Sequence, residues 1–245
     1  MTRIGIIGRA GRMGEALAVA ISANDALTLS GGIDISGDPI ALAKASDVLV
    51  DFSSPKALMD NLGAGVAAGT AMVIGTTGLE EHHHQMIDDA ARHIAVLQTG
   101  NTSLGVTLLA RLVREAAARL GPDWDIEIVE MHHRHKVDAP SGTAQLLGRA
   151  AAEGRNIQLD RNSERGRDGI TGARQSGTIG FASLRGGSVA GDHTVMFAAD
   201  NERIELTHRA ENRAIFASGA LKAALWAKGQ PAGRYTMDQV LQSHL

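Results

Sequence analysis

The chain has 245 residues, of which 44% are hydrophobic and 21% charged, with a formal net charge of −3. That length holds one large domain or two small ones, and the slight acidity gives no footing for a nucleic-acid partner. The absence of cysteine excludes disulfides, thiolate catalysis and cysteine-bound zinc, and aromatics at 3% leave a core of Ala, Val, Ile and Leu.

Taken in chain order, Ile4–Ile7 predicts a buried parallel strand, and the apolar residues from Glu15 to Ile21 recur at helical spacing. Because this strand starts at once, without a charged-then-apolar leader, and no apolar run is long enough for a bilayer, the cytoplasm is the expected location. Gly8-x-x-Gly11-x-x-Gly14 lies between strand and helix. Glycines there allow a tight turn and let backbone approach a pyrophosphate at a helix N-terminus. The pattern departs from the commoner G-x-G-x-x-G, yet a second strand, Leu27–Ile33, ends at Asp34, an acid placed to accept from ribose hydroxyls. This reads as a dinucleotide-binding βαβ unit.

Further strands are expected at Val48–Phe52, Ala71–Gly75 and Ile94–Leu97, with helices over Pro55–Ala67 and Glu80–Ala91. Such alternation predicts an α/β, Rossmann-type doubly wound parallel sheet with its ligand crevice at the carboxyl ends of the strands. Those ends carry Gly8, Asp34, Phe52-Ser53-Ser54-Pro55, Gly75-Thr76-Thr77-Gly78 and Thr99-Gly100-Asn101-Thr102, all suited to a nucleotide. His82-His83-His84 follows Glu80-Glu81 and is expected as an exposed first helical turn.

Beyond residue 103 the pattern changes. Gly105 to Leu120 predicts an amphipathic helix, and Trp124, Ile126 and Ile128 alternate with acids as a strand with one wet face. Thr178–Leu184, Asp192–Ala199 and Arg203–His208 read as successive antiparallel strands, with Gly186-Gly187 and Asp200-Asn201 as turns. The expectation is a smaller α+β domain, residues 104–213, with an open, mainly antiparallel sheet. Residues 1–103 form the nucleotide domain, completed by 214–245, where Phe216 to Ala227 returns as a helix. Arg161 to Gly177 is expected to be a mobile loop.

Glu130-Met131-His132-His133-Arg134-His135-Lys136-Val137-Asp138-Ala139-Pro140-Ser141-Gly142-Thr143-Ala144 is the most informative stretch. Metal ligation by His132, His133 and His135 is disfavoured, since their spacing fits no helical pair and Arg134 and Lys136 would repel a cation. A solvated basic loop is the bland account. The favoured reading is a site in which a His protonates an anionic substrate, Lys136 supports it, and Ser141-Gly142-Thr143 holds a carboxylate at a helix start.

Together these residues resemble the 4-hydroxy-tetrahydrodipicolinate reductase (dihydrodipicolinate reductase) family. The matching pieces are Gly8–Gly14, Asp51-Phe52-Ser53, Gly75–Gly78, Asn101–Val106, Glu130–Ala144, Gly177–Phe181 and Gly191–Thr194, in family order along essentially the whole chain. The resemblance implies reduction of a cyclic dicarboxylate by NADH or NADPH in diaminopimelate and lysine biosynthesis. It makes His132 the proton donor and Lys136 its assistant and a carboxylate ligand, with His133, Ser141, Gly142 and Thr143 on the substrate. It places the cofactor on Gly8, Arg9, Ala10, Gly11, Arg12, Met13, Asp34, Gly75, Thr76, Thr77, Thr99, Gly100, Asn101 and Thr102, with no metal. It further implies a cytoplasmic homotetramer associating through the second domain's sheet, without nucleic-acid or membrane partners, and a hinge closing over the substrate. Ile35 stands where many relatives place an arginine for the NADP phosphate, so NADH is expected to serve at least as well as NADPH. A different Rossmann oxidoreductase would have no reason for the whole His–Lys–Ser-Gly-Thr run, and an inactive NAD-binding sensor would have lost His132 or Lys136.

Overall fold

The computed structural model describes residues 1–243. The chain begins with β1 (Thr2–Ile7), α1 (Arg12–Ser22), β2 (Leu27–Ile33), α2 (Pro39–Ala45), β3 (Val48–Asp51), α3 (Leu58–Ala68), β4 (Ala71–Ile74), α4 (Glu81–Ala91) and β5 (Ala95–Gln98). There follow α5 (Leu104–Leu120), β6 (Asp125–His132), α6 (Gly142–Arg155), β7 (Ser163–Glu164), β8 (Ile179–Arg185), β9 (Gly191–Ala198) and β10 (Arg203–Ala210). The last stretch adds α7 (Ala214–Ala227), β11 (Gly233–Tyr235) and α8 (Met237–Gln242). Two compact units result: Met1–Leu104 with the chain from Arg213 onward, and Gly105–Asn212.

In the first unit six parallel strands lie in the order β11-β5-β4-β3-β1-β2. Both faces are covered, which is why β3 and β4 read as nearly unbroken apolar runs. Ile4, Ile6, Val48 and Val50 pack with Leu17 of α1, Ala220 and Ala224 of α7 and Val240 of α8. Their alternating neighbours Ile7, Leu49, Met72 and Ile74 pack with Leu42, Leu58, Leu62 and Ile87 from α2, α3 and α4. Each fully buried Leu or Ile contributes about 1.5–3 kcal/mol by leaving water.

Two local features depart from the expected pattern. The short segment after Asp34 holds α2, begun by Pro39 and capped by Asp38, whose side chain accepts from the Ile40 and Ala41 N–H groups at 2.9 and 3.1 Å. The histidine run is also not simply an exposed first turn. His83 is buried, and its Nδ1 accepts from the Glu80 N–H at 2.9 Å as half of a capping box.

The second unit has a five-stranded mixed sheet in the order β10-β9-β6-β8-β7. β9 is antiparallel to β6 and β10, whereas β8 runs parallel to β6 and β7. The segments expected to form one antiparallel succession are thus divided by β6. Gly186-Gly187 does not close a hairpin, because residues 186–190 carry the chain past β6 to its far edge. α5 and α6 cover one face, burying Leu109, Val113 and Leu147 against Ile126, Ile128, Val195 and Phe197. The stretch read as a mobile loop contains β7 and is tied to β6. Arg174 reaches Asp125 at 2.6 Å and Glu127 at 2.8 Å, and Arg167 reaches Glu127 at 2.9 Å. Among the described residues no helix is long and apolar enough to cross a membrane.

Candidate functional site

At the carboxyl ends of β1, β2 and β3 the first unit opens a cavity of ≈ 380 Å³, lined in part by Gly8, Gly11, Asp34, Ile35 and Ser53. Strand order reverses between β1 and β3, the place where open α/β sheets take ligands. Gly8 adopts φ +85° and donates its N–H to the Ile33 carbonyl at 2.9 Å. Gly11 caps α1, and a Cβ at Gly14 would run into the carbonyl oxygens of Gly8 and Arg9. Asp34, exposed, accepts from the Ala10 N–H at 3.1 Å and joins the loop to β2. Arg9 lays its aliphatic stem across Gly32, Arg12 is exposed at the start of α1, and Met13 packs on the core. Ile35 is fully exposed.

Farther along the same edge, Asp51 is wholly buried. It accepts from Ser53 N–H at 2.8 Å, from the Ser53 hydroxyl at 2.6 Å, from Asn61 Nδ2 at 2.8 Å and from the Thr76 hydroxyl at 3.3 Å. One carboxylate therefore holds two strand-end loops. The Gly75 N–H donates to the Asp51 carbonyl at 2.9 Å, and Thr77 is exposed. The Thr99 hydroxyl donates to the Asn101 carbonyl at 2.7 Å and accepts from the Asn101 N–H at 3.1 Å, across exposed Gly100. Thr102 is buried, and its hydroxyl is committed to the Phe216 carbonyl of α7 at 2.7 Å.

In the second unit the two-residue period of β6 puts Glu130 and His132 on its buried face. Glu130 Oε2 lies 2.6 Å from His132 Nδ1. Arg185, at the end of neighbouring β8, grips the same carboxylate with two nitrogens, each at 2.8 Å. The Ser141 N–H donates to Glu130 Oε1 at 3.3 Å. Burial alone would raise the Glu130 pKa, but hydrogen bonds from Arg185, Ser183 and His132 outweigh it and hold the carboxyl at about 2. Glu130 is therefore a charged group in the interior.

The Ser141 hydroxyl accepts from the Ala144 N–H at 3.1 Å, capping α6, and lies 2.9 Å from His193 Nε2. Burial, then the neighbouring His132, push His193 down to about 3, so it is neutral at ordinary pH. Gly142 and Thr143 form the opening turn of α6, where backbone N–H groups precede the helix's own ladder. Lys136 donates to Asp138 at 2.8 Å, and this bond holds the Asp138 carboxyl below its ordinary value. Arg185 also donates to the Asp138 carbonyl at 2.6 Å. His133 is half-buried, with its N–H on the Val189 carbonyl at 2.8 Å. Thus Glu130 brings His132 and the Ser141–Thr143 turn together, and Arg185 links them to the loop bearing Lys136. The arrangement offers an imidazole fixed at one nitrogen beside a helix start suited to an anion. The sequence reading gave no role to Glu130, Arg185, His193 or Asp51. Glu130 carries a local signal, two residues before His132 in a strand, and Asp51 and His193 lie in stretches that match the family, whereas nothing local marks Arg185.

Residues 2–102 match the family model described as dihydrodipicolinate reductase, N-terminus, and residues 105–241 match that of the C-terminus. A 4-hydroxy-tetrahydrodipicolinate reductase of Zymomonas mobilis subsp. mobilis is 60% identical over 246 residues, covering 98% of this chain and 96% of the relative. The chain belongs to the dihydrodipicolinate reductase family. The protein of the same name from Parvibaculum lavamentivorans is 52% identical over 263 residues, covering 98% of this chain and 97% of the relative. Dipicolinate-bound dihydrodipicolinate reductase from Paenisporosarcina sp. TG-14 shares the fold, with a TM-score of 0.76 at 24% identity over 96% of this chain and 97% of that one.

Proposed function

We propose that the chain reduces 4-hydroxy-tetrahydrodipicolinate to tetrahydrodipicolinate in diaminopimelate and lysine biosynthesis, with a nicotinamide dinucleotide as reductant. The observation that carries this reading is the single buried carboxylate of Glu130 bonded both to His132 and to the amide of Ser141. A proton donor and an anion-binding turn are thereby held in one unit, as protonation of a bound dicarboxylate requires.

The glycine loop fits a dinucleotide, since Gly8 turns through positive φ and only hydrogen is tolerated on Gly14 where α1 begins. Gly8, Arg9, Ala10, Gly11, Arg12 and Met13 would hold its phosphates, Asp34 its ribose, and Gly75, Thr76, Thr77 and Thr99 to Thr102 the remainder. Loss of the substrate's 4-hydroxyl as water leaves a conjugated C=C–C=N system, to which the reduced nicotinamide, when bound, would supply a hydride. His132 gives the proton from Nε2 to the carbon where the electron pair collects, and keeps Nδ1–H on Glu130. Lys136 assists that transfer and exchanges Asp138 for a substrate carboxylate. Ser141, Gly142 and Thr143 hold the other carboxylate, and His133 contacts the ring.

Exposed Ile35 beside Asp34 supports use of NADH at least as well as NADPH. Val129, Met131 and Met196 lie on the sheet face away from α5 and α6 and stay partly exposed, which supports a homotetramer associating through this sheet. The cytoplasm remains the location we propose.

The test is oxidation of NADH by the purified chain with enzymatically generated 4-hydroxy-tetrahydrodipicolinate, followed by absorbance. His132→Gln should lower kcat by roughly two to four orders of magnitude and leave the NADH Kd unchanged. Equal losses in turnover and NADH affinity would make His132 structural.

A further inference from the structure

Glu130 is about 1% exposed, and an isolated carboxylate so deeply buried would be expelled or neutralised. Its partners explain why it stays charged. Arg185 supplies a two-point cationic contact at 2.8 Å on each oxygen, Ser141 a backbone N–H at 3.3 Å, and His132 a ring nitrogen at 2.6 Å. A carboxylate without a proton can only accept, so the hydrogen between Glu130 and His132 belongs to Nδ1. The neutral ring is then the Nδ1–H tautomer, and Nε2 is the nitrogen left to exchange a proton.

We infer that Glu130 is a positioning residue for the reaction: clamped by Arg185, it fixes the tautomer of His132 and couples the acid to the carboxylate-binding turn of α6. This rests on the reading of His132 as proton donor. In the transfer, the His132 Nε2–H bond breaks and a C–H bond forms on the substrate, while Nδ1 keeps its hydrogen. Glu130 remains a carboxylate throughout and receives no proton. The clamp has a second consequence. Arg185 also donates to the carbonyl of Asp138, whose side chain holds Lys136, so the acid, the turn and the lysine loop are all anchored on one ion pair.

Glu130→Gln tests this without changing size. Its carboxamide nitrogen can donate to His132 Nδ1, which would move the neutral ring to the Nε2–H tautomer. We expect kcat to fall by roughly two to four orders of magnitude, as when the orienting carboxylate of a catalytic histidine becomes an amide. The KM for the dicarboxylate should rise, because the ion pair that anchors the turn and the lysine loop is broken, but by far less than kcat falls, since Lys136 and the α6 N–H groups themselves are retained. The tautomer is read directly by long-range proton–nitrogen correlation on histidine-labelled protein, with the His132 signals assigned by their loss in His132→Gln. Wild type should show Nδ1–H in its neutral ring, and Glu130→Gln should show Nε2–H. An Nε2–H tautomer in the wild type overturns the inference, even if Glu130→Gln does not fold. Unchanged kcat in Glu130→Gln, with activity abolished in His132→Gln, overturns it and leaves the proposed reaction standing. Full activity in His132→Gln as well would overturn the reaction itself.

Discussion

Asp34 and Ile35 leave β2 side by side, one able to accept from ribose hydroxyls and the other unable to meet a phosphate. Ile35→Arg should shift the ratio of kcat/KM for NADPH over NADH by about 1–2 kcal/mol, roughly five- to thirty-fold, if the guanidinium gains a charge-assisted contact. A wild type that already prefers NADPH strongly would move the phosphate contact to Arg9, whose stem crosses Gly32 nearby. At this scale, local pattern exposes some residues and hides others. His132, Lys136 and the Ser141 turn stand in one dense polar run and were visible. Arg185, their clamp, lies 55 residues beyond Glu130. Only the pairing of β6 with β8 brings it there, and no spacing in the sequence announces that. His193 stands in a matching stretch, Gly191–Thr194, but its partner was hidden in the same way, since only β9 pairing beside β6 puts it against Ser141.

Among the elements, the turn from β1 into α1 is the most tightly constrained. Gly14→Ala would press a methyl into the carbonyl oxygens of Gly8 and Arg9, so the loop must open or α1 must lose its first turn. NADH affinity should fall roughly tenfold or more, which corresponds to about 1.4 kcal/mol. Binding of the dicarboxylate, followed by calorimetry, should be untouched; an unaltered NADH Kd would show that the loop does not hold the cofactor. The strands of the first unit were legible because both faces are covered and their apolar runs are bounded by glycine and acid. β11 was not, because Gly233–Tyr235 has neither length nor apolar pattern and gains its place by pairing with β5. α2 escaped notice because it has only seven residues, although Asp38-Pro39 is a sound start signal. The order of strands in the second sheet was misjudged for a different reason. Turn residues announce a change of direction, but not which edge the next strand will occupy.

Across the whole molecule, acid should be felt first through His193. Its folded value of about 3, set by burial and by His132, lies below the ordinary 6.5. Between those values the unfolded chain binds a proton that the folded chain refuses. Stability is therefore unaffected above about pH 6.5 and falls as pH drops toward 3, by on the order of a few kcal/mol. Glu130 acts in a lower window: held at about 2 against 4.5, it stabilises fully above 4.5, and that stabilisation is lost as pH falls through 2. Denaturant midpoints should decline from about pH 6.5 to 4.5 in wild type and decline less in His193→Gln, the remaining slope including half-buried His208, which burial also pushes down. An identical slope in the variant would remove His193 from the account. The division of the chain bears on its synthesis. Gly105–Asn212 is continuous, whereas the first unit draws α7, β11 and α8 from beyond Arg213, and α7 and α8 supply much of one of its two cores. On the ribosome the first hundred residues emerge early yet cannot bury Ile4, Leu17 or Val50 until the final helices appear. The middle of the protein is therefore free to fold before its beginning, and one apolar face of the sheet made first is the part that stays uncovered longest during synthesis.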